Sequence, residues 1–353
     1  MRSATGSNQP PRREERRDDA GGTLSSADEG LPAAIAWATF QPRTIALARA
    51  LGGEAVFVAS NIPRHAALLP LRYLLCGVRT WQLLRRRRPR LALVITPPVL
   101  APAVVWSWAG RRARPFVVDC HTDTFHDRRW RWAQPLLRRI CRSARAVLVH
   151  TEEALEVLET WDVRGLMLPD DVPDGSEADR LPQHSRPTVL VAGGLNVDEP
   201  VAEVLEAARH VPEVEVRLTG DPRGVPTGLR EGAPANVTFT GFLPYGRFLG
   251  EMVAADVVAV LSTDPHIMNR GAFEAAGLGR PLLLSDIPGL RQRFGMGARY
   301  VPNSPERIAT AFRQALAETP VMAARSQELG AVLRRQRADA LSRLKAMLQD
   351  VAD

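Results

Sequence analysis

Three places in this chain hold residues whose types and spacing suit a polar, anionic ligand. The first is the run Val191-Ala192-Gly193-Gly194-Leu195-Asn196-Val197-Asp198-Glu199-Pro200. An apolar stretch there meets two glycines and then a helical pattern, so backbone N–H groups can approach and cradle a diphosphate; the spacing is not G-x-G-x-x-G, and a plain tight turn is the alternative. The second is Ser262-Thr263-Asp264-Pro265-His266-Ile267-Met268, a polar loop leading into a helix that opens with Asn269, Arg270 and Gly271. Free N–H groups, the positive end of the helix dipole and a guanidinium together suit a pyrophosphate. Glu274, on the first turn, can accept from ribose hydroxyls or serve only as a favourable helix-start acid. The third is His121, after Val117-Val118-Asp119-Cys120. A histidine at the carboxyl end of a strand stands where doubly wound sheets bind ligands, although a lone histidine is also a common structural residue. The turn Thr39-Phe40-Gln41-Pro42-Arg43 is expected to form the opposing lip of a cleft.

For these residues to meet, the chain must fold as alternating strands and helices, and its pattern does alternate. Short aliphatic runs at 33–39, 55–59, 91–95, 116–119, 146–150 and 165–168 are separated by helical patterns, the longest at 63–88. That is the grammar of βαβ units and a parallel sheet. A polar, acidic, proline-containing stretch follows, after which strands at 188–192, 214–218, 237–240, 257–261, 281–284 and 299–301 resume with helices between them. The expected fold class is therefore α/β, with two Rossmann-like domains at 32–169 and 188–330 facing a cleft. A linker at 170–187 joins them, and a C-terminal helix at 331–353 packs back across the junction. Residues 1–31 lack the apolar centre of a signal peptide and have the composition of a disordered tail.

Size and composition agree with that reading. A chain of 353 residues, 45% hydrophobic and 24% charged, is long enough for two ordinary globular domains. Its three cysteines, Cys76, Cys120 and Cys141, are odd in number and lack C-x-x-C spacing, which suits buried, reduced thiols in the cytoplasm. The formal net charge of +7 is unevenly placed, with twenty arginines against four acids between Gln41 and His150. The single lysine, Lys345, indicates that genome composition contributes to that arginine excess. Residues 91–109 are an uncharged run long enough to span a bilayer, but Pro97, Pro98 and Pro102 interrupt it, and a strand, a proline turn and a helix are expected instead. Arg72, Arg79 and Arg85 to Arg88 on the long helix, with Trp81, Trp106, Trp108, Trp130 and Trp132, suit an anionic membrane surface on the cytoplasmic side, the alternative being a solvated helix face. No stacking motif or recognised fold points to nucleic acid.

The run from Gly271 to Pro281, with its Glu274-Ala275 and Gly279-Arg280-Pro281, resembles the donor-binding segment of retaining GT-B glycosyltransferases of family 4. The resemblance extends over Asn236-Val237-Thr238-Phe239-Thr240-Gly241-Phe242-Leu243-Pro244, Ala255-Asp256-Val257-Val258 and Leu218-Thr219-Gly220-Asp221. It implies a hexosyltransferase whose donor, a nucleotide-diphosphate sugar, is a co-substrate, with no cofactor and no essential metal; no His/Cys/Asp ligand spacing is visible in the sequence. The donor-site residues it implies are Gly193, Gly194, Asn196, Gly241, Thr263, His266, Asn269, Arg270, Gly271 and Glu274, with Glu274 on the ribose. His121 matches a histidine that faces sugar and acceptor, and Thr39, Phe40 and Arg43 lie on the acceptor side. The implied acceptor is a glycan or lipid-linked molecule of polysaccharide or glycolipid assembly, with the enzyme peripheral on the inner membrane face. Two departures stand out: His266 replaces the family's first glutamate, and the turn at Asn196, Asp198 and Glu199 lacks its Arg/Lys clamp, leaving Arg270 as the replacement cation. A catalytically inactive GT-B-like scaffold in a glycan assembly complex is the alternative these departures motivate. A nicotinamide enzyme would need a G-x-G-x-x-G turn that neither first strand supplies.

Overall fold

The structure, a computed structural model, describes residues 30–349 apart from 61, 63–65, 112–113 and 122. The expected tail up to residue 29 and the expected helix start at 63 lie outside the described residues. In the first lobe β1 (Ala33–Ala36), β2 (Glu54–Phe57), β3 (Ala92–Thr96), β4 (Phe116–Cys120), β5 (Ala146–Val149) and β6 (Gly165–Met167) pair in the order β2-β1-β3-β4-β5-β6, all parallel. Every residue of β1, β3, β4 and β5 is buried, because helices cover both faces of a parallel sheet and its strands must be apolar throughout. Those helices are α1 (Pro42–Ala50), α2 (Leu69–Arg87), α3 (Leu100–Gly110), α4 (Asp123–His126), α5 (Gln134–Ser143) and α6 (Glu152–Thr160). Pro97 and Pro98 turn the chain between β3 and α3, and among the described residues no helix is long and apolar enough to cross a membrane.

The second lobe repeats the plan with β7 (Thr188–Val191), β8 (Glu215–Thr219), β9 (Val237–Gly241), β10 (Val257–Val260), β11 (Leu282–Ser285) and β12 (Arg299–Val301), again all parallel. Their order, β12-β11-β10-β7-β8-β9, is the doubly wound arrangement, and its topological switch point falls between β7 and β10. The turn after β7 contains Gly193 and Gly194, and the loop after β10 leads to α10 (Arg270–Gly277), so both second-lobe motifs open onto one crevice. Around them lie α7 (Val201–Arg209), α8 (Thr227–Glu231), α9 (Tyr245–Ala254), α11 (Pro288–Phe294) and α12 (Pro305–Ala317).

A final helix, α13 (Thr319–Gln349), runs for 31 residues. It begins at 319 rather than 331, because Met322, Ser326, Gly330, Leu333, Arg337, Ala340 and Leu344 form one unbroken buried stripe at helical spacing. Leu333 joins the core of the second lobe, whereas Ala340 and Leu344 join that of the first. The crossing over α10 requires Gly330, where a Cβ would lie 2.2 Å from the Ala276 carbonyl oxygen. Residues 170–187 carry no regular structure, but their start is anchored: Asp170 binds Arg43 and Asp171 pairs with Arg337.

Candidate active site

The carboxyl ends of β4 and β5 set His121 and His150 side by side, with ring centroids 4.3 Å apart. Beneath them Asp119 is fully buried, and an isolated carboxylate there would be costly. Arg43, near the start of α1 and 2% exposed, relieves that cost. Its Nε and Nη2 donate to the two Asp119 oxygens at 2.7 and 2.9 Å, while the remaining N–H groups reach Asp170 at 2.9 Å and the carbonyls of Leu168 and Pro169. Burial alone would raise both carboxyl pKa values; the adjacent guanidinium outweighs it and holds Asp119 and Asp170 below the usual carboxylate range. His150 is pushed down to about 3 by burial, then by the positive charge of Arg43 and by His121, so its ring is neutral at physiological pH. The Gln41 amide lies 3.1 Å from His121 Nε2, and its oxygen accepts from Thr44. That orientation makes Gln41 the donor and His121 Nε2 the unprotonated acceptor.

From the second lobe, Arg270 opens α10 and donates through Nε to Glu274 at 2.7 Å. Its Nη2 reaches the Tyr245 hydroxyl at 3.2 Å, while Nη1 is buried without a hydrogen-bond partner. Glu274 is 3% exposed, and burial outweighs Arg270 to raise its pKa. It therefore aims the guanidinium instead of standing open as a helix-start acid. Asn269 caps α10 through extended backbone with no side-chain hydrogen bond, and Gly271 packs against Val260 and Ala192. Thr263 is tied to the Asp198 carbonyl, and Asp264 accepts from the His266 amide. His266 turns its Nδ1 to Glu153 of the first lobe, 3.1 Å away.

The glycine turn after β7 holds an anion of its own. Glu199 accepts from the amides of Gly194 (2.9 Å) and Leu195 (3.1 Å) and from the Asn196 side chain (3.1 Å). Gly193 donates to Thr219. This nest is thus satisfied by an internal carboxylate, in the position where phosphate oxygens were expected. Gly220 closes the turn from behind at φ 113°, where a Cβ would meet Gly194. Gly241 ends β9 at φ 76° and accepts from the Gly220 amide.

Between the lobes lies a cavity of about 220 Å³ lined by Gln41, Arg43, His121, His150 and Asp170 on one side and by Asp264, His266 and Arg270 among others on the second. The fold thus brings His121, Arg43, His266 and Arg270 to one space, with Glu274 behind Arg270. Thr39 and Phe40 are exposed, the Phe40 ring tilted against Phe57 with centroids 6.2 Å apart. Arg43 stands at the lip but has every N–H spent on holding Asp119, Asp170 and the 168–169 backbone. Sequence reasoning missed His150 and Asp170. The signal for His150 was present, since it ends β5 as His121 ends β4; Asp170 sits in a stretch whose composition reads as a linker. Two trios that spacing did not show also form: Asp119, His121 and His150, and, bridging the lobes, His126, Glu153 and His266. A dication in the first trio would face Arg43, which already takes both Asp119 oxygens.

Residues 37–165 match the sequence family described as Glycosyltransferase Family 4. No curated protein matches the chain. Among solved structures, HepE of Anabaena in complex with UDP and glucose superposes with a TM-score of 0.68 at 16% identity, over 90% of this chain and 92% of that one. A sucrose-phosphate synthase of Thermosynechococcus elongatus gives 0.70 at 14% identity, over 91% and 98%. The α,α-trehalose 6-phosphate synthase of Burkholderia multivorans gives 0.62 at 17%, over 83% and 79%.

Proposed function

We propose that the protein, whose residues 37–165 match the Glycosyltransferase Family 4 model and whose two lobes have the GT-B fold, transfers a sugar from a nucleoside-diphosphate donor to an acceptor with retention of configuration, needing no cofactor or catalytic metal. The observation that carries this reading is Arg270, a half-buried cation at a helix N-terminus whose Nη1 is shielded from solvent without a hydrogen-bond partner, beside a cavity that both lobes line. Helix amides and guanidinium stabilise the negative charge that grows on a departing diphosphate. His121 faces this space from the other lobe, where the transferred sugar and acceptor meet. HepE, solved with UDP-glucose, supports a donor of the same class.

Thermal-shift titration with UDP, GDP and ADP tests it. One diphosphate should raise the melting temperature, and Arg270→Ala should weaken its binding on the order of 10- to 100-fold, the worth of a lost charge-assisted hydrogen bond. A shift of equal size in wild type and variant would remove the proposed site. The scaffold reading draws on Glu199 filling the glycine nest and His266 engaging Glu153, and it expects no turnover of any nucleotide sugar by the purified chain.

The acceptor we propose is lipid-linked, presented at an anionic membrane on the cytoplasmic side. Support comes from an open, mainly apolar groove of about 1170 Å³ on the first lobe. Trp37, one residue past β1, forms part of it, with Tyr73, Leu74, Trp81, Trp132 and Arg85. Leu71, Leu74 and Val78 form an exposed apolar stripe on α2 that runs toward exposed Arg85 and Arg86. Of the tryptophans expected at a membrane, Trp108 and Trp130 are instead core residues, and Trp132 is 67% exposed.

A further inference from the structure

The groove on the first lobe follows α2 where that helix packs on α3. One flank is α2 from Leu69 to Arg85, a run of about 24 Å at 1.5 Å per residue, and the other is α3 from Leu100 to Ser107. Its base is aromatic. Trp37 donates through Nε1 to the Thr80 hydroxyl at 2.8 Å and stacks on Tyr73 with centroids 6.1 Å apart, and Tyr73 lies 6.1 Å from Trp130. Midway along α2 stands Gly77, a residue that weakens a helix interior relative to alanine. Packing does not require it, since a Cβ there would meet Val104 at 3.5 Å and the Trp37 ring at 3.9 Å, both ordinary contacts. What the missing side chain provides is depth. In a parallel sheet α2 and α3 both start at the carboxyl edge, so the groove descends from the level of the cleft toward Arg85. Trp37 precedes by four residues Gln41, whose amide meets His121, and Trp130 lies just beyond α4, which follows His121.

We propose that this groove seats the acceptor's own hydrocarbon chain, a single chain drawn from the bilayer and laid between α2 and α3 with its phosphate-bearing head at the cleft. The proposal rests on the reading of the acceptor as lipid-linked and adds where its tail lies. Contact with a bilayer surface would need only the outer residues Leu71, Leu74, Val78 and Trp132, all exposed. Trp37, Tyr73 and Gly77 are half-buried below them, at a depth that one chain reaches and a membrane surface does not. A long, narrow, aromatic-walled channel fits a linear apolar chain, whose burial scales with each methylene removed from water. Arg129 and Arg85 mark its two ends with positive charge, the former sharing its charge with Asp127. Leu71 and Leu74, exposed beside the rim, give the chain an apolar path from the bilayer.

Four of the seven tryptophans line the groove, so intrinsic fluorescence reports its filling. The full chain, titrated with dodecyl phosphate below its micelle concentration, should show a saturable one-to-one spectral change. Butyl phosphate should bind about 100-fold more weakly or worse, because it buries fewer methylenes. Gly77→Leu fills the middle of the groove and should weaken dodecyl phosphate binding about 10-fold or more, while melting no earlier than wild type because leucine is the better helix former. Should it melt early, Gly77→Ala takes its place, with a smaller loss of the same sign. Equal affinity for both chain lengths, or binding that neither substitution weakens, would overturn the proposal. A spectral change seen only with phosphatidylserine vesicles, and never with monomeric dodecyl phosphate, would also overturn it and make the groove a bilayer-facing surface. Thermal shifts with UDP, GDP and ADP on the same samples separate this inference from the reading beneath it: a diphosphate response without a dodecyl phosphate response discards the groove alone, whereas silence toward every diphosphate counts against the transferase.

Discussion

The buried network of Arg43, Asp119, Asp170 and His150 makes stability depend on pH in a direction that one residue sets. In the folded chain His150 keeps a neutral ring down to about pH 3, whereas its ordinary pKa is 6.5. The unfolded chain therefore binds a proton that the folded chain refuses. Stability from this residue is complete above about 6.5 and falls as pH drops, by up to about 1.4 kcal/mol per unit. Below the ordinary carboxylate range the lowered pKa values of Asp119 and Asp170 act in the same direction. Denaturant melts at pH 7, 6, 5 and 4 should show this loss, and His150→Asn should flatten it between 6.5 and 4. A variant profile parallel to wild type would show that His150 is not the refusing group. The network also explains why the site was only partly legible in the sequence. His121, Arg270 and Glu274 announce themselves by strand ends and a helix start. Asp170 gains its role from Arg43, 127 residues earlier, and no local pattern records so distant a partner. Glu199 stands in a turn expected to cradle a diphosphate, yet its carboxylate folds back onto amides four and five residues earlier.

At the scale of elements, the alternation of strand and helix was readable, because the central strands are short apolar runs and most helices are amphipathic. What the pattern could not show was which apolar positions would stay outside. On α2, Leu71, Leu74 and Val78 share a face with Arg85, and Leu74 is 62% exposed. A stripe of that kind on a basic lobe binds anionic bilayers through both its apolar area and its charge. Vesicles containing phosphatidylserine should therefore carry the protein to the top of a flotation gradient more fully than neutral vesicles. Leu74→Glu with Val78→Glu should abolish that difference with little change in melting temperature, since both side chains face solvent. Equal recovery with both lipids would dismiss membrane docking by this face.

For the whole molecule, the boundary between lobes is crossed twice, once at 168–188 and again by α13. Leu344 is fully buried in the first lobe's core although it follows the second lobe in the chain. Truncation to alanine should cost about 2–5 kcal/mol, the usual range for a large side chain removed from a packed interior. Urea unfolding followed by circular dichroism would measure it, and a loss below about 1 kcal/mol would mean that the helix end is only loosely seated.

The crossing also imposes a schedule on synthesis. Leu47, Leu93 and Leu148 lie in the same cluster as Ala340 and Leu344, so one wall of the first lobe is built from residues that are made only after the strands of the second lobe. While the second half is being translated, the earlier half displays an oily patch that nothing in its own stretch of chain can cover. Premature termination anywhere before 340 would leave that patch bare, making shortened products sticky even when every strand of both sheets is present.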